Sequence, residues 1–266
     1  MSIKLIIGVS IVLLLIIVLL IVIKKKKNSN NSVSTALVPV KYKVEDLVKY
    51  QQTKTEQELY NDEINKIITG ENAINSIPDF AKKKNDQGVE AFSKGEIDKS
   101  IALYNDAINI APNYHLALYN LGNAYFAIGE YKKAIEKFEK VIMLEPKDEF
   151  AYYNLAMCYY KIDDLNTSTT YYQKAIDISP GDYTTHYNLG KVYEKLNKND
   201  LAIEAYRKAI NLKQSYANAH YNLAEMLKYK GKYKEAIKEY ELYLKYNPNA
   251  DDTNYVKKII VELMIK

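Results

Sequence analysis

Four prolines, Pro112, Pro146, Pro180 and Pro248, stand 34, 34 and 68 residues apart, and Gln214 occupies the intervening position. An internal period of that length marks a solenoid of helix pairs, because one such unit cannot bury its apolar face alone and must stack on its neighbours. The triplets Tyr119-Asn120-Leu121, Tyr153-Asn154-Leu155, Tyr187-Asn188-Leu189 and Tyr221-Asn222-Leu223 recur at the same interval. Within residues 115–148, Leu118, Leu121, Gly122, Tyr125 and Phe126 keep three- and four-residue spacing. After Gly129-Glu130, Tyr131, Ala134, Ile135, Phe138, Val141 and Ile142 do so again. Pro146 stops the second helix, since its ring lacks an N–H donor and clashes with the preceding turn. The chain reads as all-α, and its unit is a helical hairpin.

Residue size repeats as well. Gly88, Gly122, Ala156, Gly190 and Ala224 share a position in the first helix of each hairpin, and Ser100, Ala134, Ser168, Ala202 and Ala236 share one in the second. Tyr104, Phe138, Tyr172, Tyr206 and Tyr240 form a column of large residues, and Tyr125, Tyr159 and Tyr193 another. Alternation of small and large side chains is what close helix packing demands, and catalysis has no need of it.

These residues resemble the tetratricopeptide repeat family, whose 34-residue pattern runs from an aromatic through Leu-Gly, Tyr, Ala, Phe or Tyr, and Ala to Pro. Leu121, Gly122, Tyr125, Ala134, Phe138 and Pro146 match it in one repeat. The resemblance covers about five repeats, 81–114, 115–148, 149–182, 183–216 and 217–250. It implies a right-handed superhelical solenoid. Residues 251–266 read as a capping helix with Tyr255, Ile259, Ile260, Leu263 and Met264 on its packed side, closing the apolar end as solenoids require. Gln87 and Ala91 stand in the first repeat where later ones carry Leu and Tyr, as suits an outer first helix. Ala73 and Pro78 are in register with a degenerate upstream hairpin, although Lys54 and Lys66 occupy its small positions.

The start of the chain has a different character. Leu5 to Ile23 is free of charge, and as a helix rising about 1.5 Å per residue it approaches the thickness of a hydrocarbon core. Lys24 to Lys27 follow at once, with no small-residue cleavage site. This favours an uncleaved anchor over a signal peptide, with residues 1–27 as transmembrane segment and lysine flank. Because the lysines lie on the C-terminal side, the positive-inside bias predicts a single-pass membrane protein with its repeats in the cytosol, and an extracytoplasmic domain is the alternative. Residues 28–43 read as a flexible tether, Asn/Ser-rich at its start. Residues 44–80 read as a helical linker or degenerate repeat, with Leu47, Val48, Leu59, Ile64, Ile67 and Ile68 available for burial.

Charge limits the partners. The net charge of +4 comprises +5 from residues 1–27, −3 from 28–80 and +2 from 81–266. The basic excess therefore belongs to the anchor, and the nearly neutral solenoid lacks the stripe that nucleic acid would require. The expected lipid contact is the bilayer, through residues 5–23.

Motifs for chemistry are missing from the sequence: it has no Gly-rich phosphate loop, no paired-cysteine or His-Glu metal spacing and no Gly-x-Ser-x-Gly turn. No catalytic residue, metal ligand or cofactor is expected, and the chain is read as a non-enzyme. Cys158 stands where Ala124 stands one repeat earlier, as a small packed hydrophobe. His186 and His220 share a column in which the family places packing aromatics; His115 opens a helix without an evident partner.

The resemblance implies a concave groove lined by the first helix of each repeat. Carried over position by position, that groove takes Tyr119, Tyr153, Tyr187 and Tyr221 beside Asn120, Asn154, Asn188 and Asn222. Asn123, Met157, Lys191 and Glu225 form the next row, and Leu116 and Phe150 add apolar area. Asparagine amides match the donors and acceptors of an extended backbone, while tyrosine adds amphipathic contact. The same asparagines also suit bonds within or between repeats. Relatives that grip acidic chaperone tails need cations where this chain has Tyr119, Thr184 and Asn188, so that ligand is not expected. The functional expectation is a membrane-tethered scaffold holding a protein or peptide partner in its groove. The alternative is a self-associating homo-oligomer that organises the membrane without a separate ligand.

Overall fold

The structure is a computed structural model that describes residues 77–266. The expected membrane span at 5–23, its lysine flank, the tether at 28–43 and the linker up to residue 76 lie outside the described residues. Within them there are eleven α-helices and no strand. In chain order these are α1 (Asp79–Ser93), α2 (Ile97–Ile110), α3 (His115–Ala127), α4 (Tyr131–Leu144), α5 (Glu149–Lys161), α6 (Leu165–Ile178), α7 (Tyr183–Lys195), α8 (Asn199–Leu212), α9 (Ala217–Tyr229), α10 (Tyr233–Tyr246) and α11 (Thr253–Met264). Each helix packs on the one before it, and α3 also touches both α1 and α5. Among the described residues no helix is long and apolar enough to cross a membrane.

The seam of each hairpin is set by a steric lock. At Gly122 an added Cβ would lie 2.7 Å from Phe138 Cε1, and at Gly190 it would lie 2.5 Å from Tyr206 Cε1. Real Cβ atoms do not approach so closely, so the aromatic of the second helix fits only over a glycine or a slightly displaced alanine. Tyr104, Phe138, Tyr172, Tyr206 and Tyr240 are all buried, as are the small residues 100, 134, 168, 202 and 236. Full burial of one such ring stabilises by about 1.5–3 kcal/mol.

The turn inside each hairpin repeats too. Gly95, Gly129, Asp163, Asn197 and Gly231, each 34 residues from the next, all have φ between 57° and 79°. The following amide bonds back to the helix in every case, for example Glu130 N to Tyr125 O at 2.9 Å and Lys198 N to Tyr193 O at 2.8 Å. This closes the orphan carbonyls of the first helix with a left-handed residue. Asp148, Asp164 and Asp182 cap the next helices by accepting from backbone N–H groups of Ala151, Thr167 and Thr184. The prolines 112, 146, 180 and 248 fall two residues beyond the ends of α2, α4, α6 and α10.

The terminal helix departs from its expected orientation. Val256, Ile259, Ile260 and Leu263 are its buried stripe, whereas Tyr255 and Met264 are 59% and 63% exposed. The 256/259/260/263 spacing is the narrower and more regular apolar face, and α11 turns it toward α10. Ala91, in the first described helix, is buried rather than exposed.

Candidate functional site: the Tyr–Asn row

The first helices α3, α5, α7 and α9 present one tyrosine each at the same register. The ring of Tyr119 meets Phe138 edge-on at 5.7 Å, Tyr153 meets Tyr172 at 5.7 Å, Tyr187 lies tilted against Tyr206 at 5.7 Å, and Tyr221 meets Tyr240 at 5.9 Å. Every row tyrosine thus leans on the core aromatic of its own hairpin. That contact fixes the ring and leaves its hydroxyl at the edge of the core.

The next residue along connects the repeats. Asn154 Nδ2 donates to Tyr119 O–H at 3.0 Å, Asn188 Nδ2 to Tyr153 O–H at 2.8 Å and Asn222 Nδ2 to Tyr187 O–H at 3.3 Å. Asn120 Nδ2 reaches Asn85 Oδ1 at 2.9 Å, because the first repeat has asparagine in place of the tyrosine. Asn123 Oδ1 accepts a second bond from Asn154 at 3.0 Å. Of the two roles open to the asparagines from sequence, the bonding role between repeats is observed. It engages their N–H groups. The carbonyl oxygens of Asn154, Asn188 and Asn222 have no donor among the described residues. No buried side-chain nitrogen or oxygen there lacks a partner, so these oxygens reach solvent.

The remaining sequence-assigned residues lie along this row. Tyr119, Asn120, Asn123, Tyr153, Asn154, Met157, Tyr187, Asn188, Lys191, Tyr221 and Asn222 are half-buried, and Phe150 is 62% exposed. Leu116, one repeat earlier, is 49% exposed. Burial pushes the phenols of Tyr119, Tyr153, Tyr187 and Tyr221 above the usual value, so they remain neutral O–H groups at ordinary pH. Glu225 accepts from Tyr240 O–H and pairs with Lys228 at 2.8 Å.

Other chemically capable residues resolve as structural. Cys158 is buried and its thiol is pushed up to about 12 by desolvation, far from a reactive thiolate. Both column histidines bond the loop carbonyl at the end of the preceding hairpin: His186 Nε2 lies 3.1 Å from Pro180 O, and His220 Nε2 lies 2.9 Å from Gln214 O. His220 adds Nδ1 to Glu239 Oε2 at 2.6 Å and stacks on Tyr246. Among the described residues no group of three His, Cys, Asp or Glu side chains is placed to hold a metal. Sequence reasoning missed a cleft of about 660 Å³ lined by Gln173, His186, Tyr193, Glu204 and Arg207. Its lining comes from α6, α7, α8 and the turn after α9, and the repeat pattern marks its Tyr193 and His186 only as members of packing columns, so the pattern does not single out the cleft.

Family comparison agrees with this geometry. Models described as tetratricopeptide repeat match residues 115–148, 148–215 and 187–251, and one described as TPR repeat matches 88–129. The chain belongs to the tetratricopeptide repeat family. Among solved structures, a crystal structure of MamA is 30% identical over 60% of this chain and 94% of its own, with a TM-score of 0.58. MamA 41-end from Desulfovibrio magneticus RS-1 is 23% identical over 66% of this chain and 99% of its own, at TM-score 0.62. YrrB, described as a TPR protein with an unusual peptide-binding site, is 20% identical over 66% of this chain and 90% of its own, at 0.56. The last two likenesses carry the fold alone. No curated protein matches the chain. Tetratricopeptide repeat membership supports a protein–protein interaction scaffold.

Proposed function

We propose that the chain is a membrane-tethered scaffold that holds a peptide segment of a protein partner along the face of its first helices, with residues 5–23 as the anchor. The observation that carries this reading is the Tyr–Asn row. Its tyrosine rings and asparagine N–H groups are held by the repeats themselves, while the carbonyls of Asn154, Asn188 and Asn222 reach solvent and the hydroxyls of Tyr119, Tyr153 and Tyr187 accept from them and keep a proton to donate. A backbone laid along the row meets acceptors for its N–H groups and donors for its C=O groups without any rearrangement of the solenoid. Phe150 and Leu116 supply apolar area beside that polar line. The domain limits that go with the reading are an anchor at 1–27, a tether at 28–43, a linker at 44–80, repeats at 81–250 and a cap at 251–266.

A photoreactive residue replacing Tyr153 in intact cells tests it, with the same residue at the exposed Lys208 of α8 as reference. Capture of one discrete partner from position 153 and not from 208 is expected. Equal capture from both positions contradicts a groove. Carbonate extraction of membranes tests the anchor: release of the full chain into the aqueous fraction overturns it.

One feature favours self-association as a second reading. The outer side of α11 exposes Val261, Met264 and Ile265 at the end of the array. If that face pairs with a second copy, sedimentation of the detergent-solubilised chain shows a concentration-dependent dimer that Ile265→Glu abolishes.

A further inference from the structure

We infer that the segment bound along the row carries a carboxylate, and that this carboxylate docks on Lys191 between Tyr160 and Tyr187. The inference rests on the groove reading above and adds the chemistry of its ligand.

Four lysines are half-buried among the described residues: Lys84, Lys137, Lys191 and Lys228. Lys84 pairs with Asp106 at 3.6 Å, Lys137 with Glu136 at 3.8 Å and Lys228 with Glu225 at 2.8 Å. Lys191 alone of the four has no carboxylate within ion-pair reach. Its Nζ lies over two rings instead, 5.7 Å from the centroid of Tyr160 and 5.8 Å from that of Tyr187. Ring faces attract an ammonium but accept no strong hydrogen bond, so its donors stay open to a ligand.

The nearby acids are already engaged. Glu194, one turn along α7, accepts from Tyr206 O–H at 2.7 Å, and Glu225 accepts from Tyr240 O–H. Lys195 is taken by Asp163 at 2.6 Å. Both glutamate carboxylates are thus bonded by core tyrosines, and neither forms an ion pair with Lys191. The hydroxyl of Tyr187, whose ring lies under the ammonium, accepts from Asn222, so its own proton remains available. An unpaired ammonium beside an O–H group with a free proton is complementary to a carboxylate, and charge-assisted bonds of this kind are the strong ones. The site differs from the family's acid-tail clamp, whose cations would fall at Tyr119, Thr184 and Asn188.

Selection of random dodecapeptides displayed on phage, against the full chain in detergent micelles, supplies the probe. The selected peptides are then labelled and their binding followed by fluorescence anisotropy. Peptides enriched in Asp and Glu are expected, binding Lys191→Met about tenfold more weakly than the native chain. Replacing the peptide's acid by its amide should erase that difference, and selection against Lys191→Glu should enrich Lys and Arg instead. Selected peptides without acidic enrichment, or with equal affinity for the native chain and Lys191→Met, overturn the carboxylate assignment. If such peptides still lose binding to Phe150→Glu, the groove reading survives. If they are indifferent to both substitutions, or if no peptide is selected, the groove reading falls as well.

Discussion

Two regions share the 34-residue period and answer to different physics. In the hairpin seam, Gly122 under Phe138 leaves no room for a single carbon, and every atom there faces protein. In the Tyr–Asn row, Asn154 and Asn188 tie one repeat to the next through their amide N–H groups, Asn154 to both Tyr119 and Asn123, while their carbonyls meet solvent. The seam makes the fold and has nothing left over. The row contributes to the fold and keeps its carbonyl acceptors for something else. A repeating residue is therefore not by its repetition either structural or functional; the fate of its individual atoms decides.

Substitutions separate the two regions by size of effect. Gly122→Leu breaks the seam: overpacking against Phe138 destabilises by about 1–3 kcal/mol or more, seen as a large drop in Tm by circular dichroism. A Tm within one degree of the native value would show that the seam is looser than its 2.7 Å approach indicates. Asn154→Ala with Asn188→Ala comes next, at about 0.5–1.5 kcal/mol for each lost bond between repeats. A purely ligand-facing role would leave melting unchanged; the observed bonds to Tyr119 and Tyr153 require both melting and binding to fall. Unchanged melting would return the amides to a purely ligand-facing role.

A smaller effect of opposite sign is expected at Asn197. Its φ of 57° is the left-handed turn that glycine fills at three of the five equivalent positions, and no side-chain bond holds it there. Asn197→Gly should stabilise by about 0.5–1 kcal/mol, read from urea unfolding. A loss of stability would show that the asparagine pre-forms the turn in the unfolded chain.

His220 gives the most delicate comparison, set against its counterpart His186. Burial pulls the His220 pKa down, but bonds to Glu239 and to the Gln214 carbonyl and the charge of Glu239 outweigh it, and the net shift is upward. A raised histidine pKa stabilises the fold fully below its ordinary value near 6.5, and that contribution fades as pH rises through the folded value. Thermal melting from pH 5.5 to 8.5 should therefore decline with pH, and Glu239→Gln should flatten the decline. The same slope in both chains would place the effect elsewhere.

What the sequence reveals follows from what packing forces upon it. Hairpin order, the small and large columns and the prolines are legible because each must recur wherever two helices meet at the same distance. The turn residues Asp163 and Asn197 are less legible, since a left-handed φ tolerates Asp and Asn beside Gly and leaves no fixed letter. The rotation of α11 is hidden because an apolar residue at either edge of a stripe looks equally buried until the neighbouring helix is in place. For the row, sequence names the tyrosines and asparagines but not the direction of each amide. That depends on the hydroxyl one repeat away, 35 residues earlier in the chain.

The central claim, that the first-helix face is a working surface, is tested most directly at Phe150. This residue is 62% exposed and belongs to no core cluster, so Phe150→Glu should leave Tm unchanged. If the face holds a partner, the yield of the complex crosslinked from position 153 should fall by about tenfold, in keeping with the roughly 1.5–3 kcal/mol that burial of a phenylalanine contributes. An undiminished yield with unchanged Tm would contradict the account.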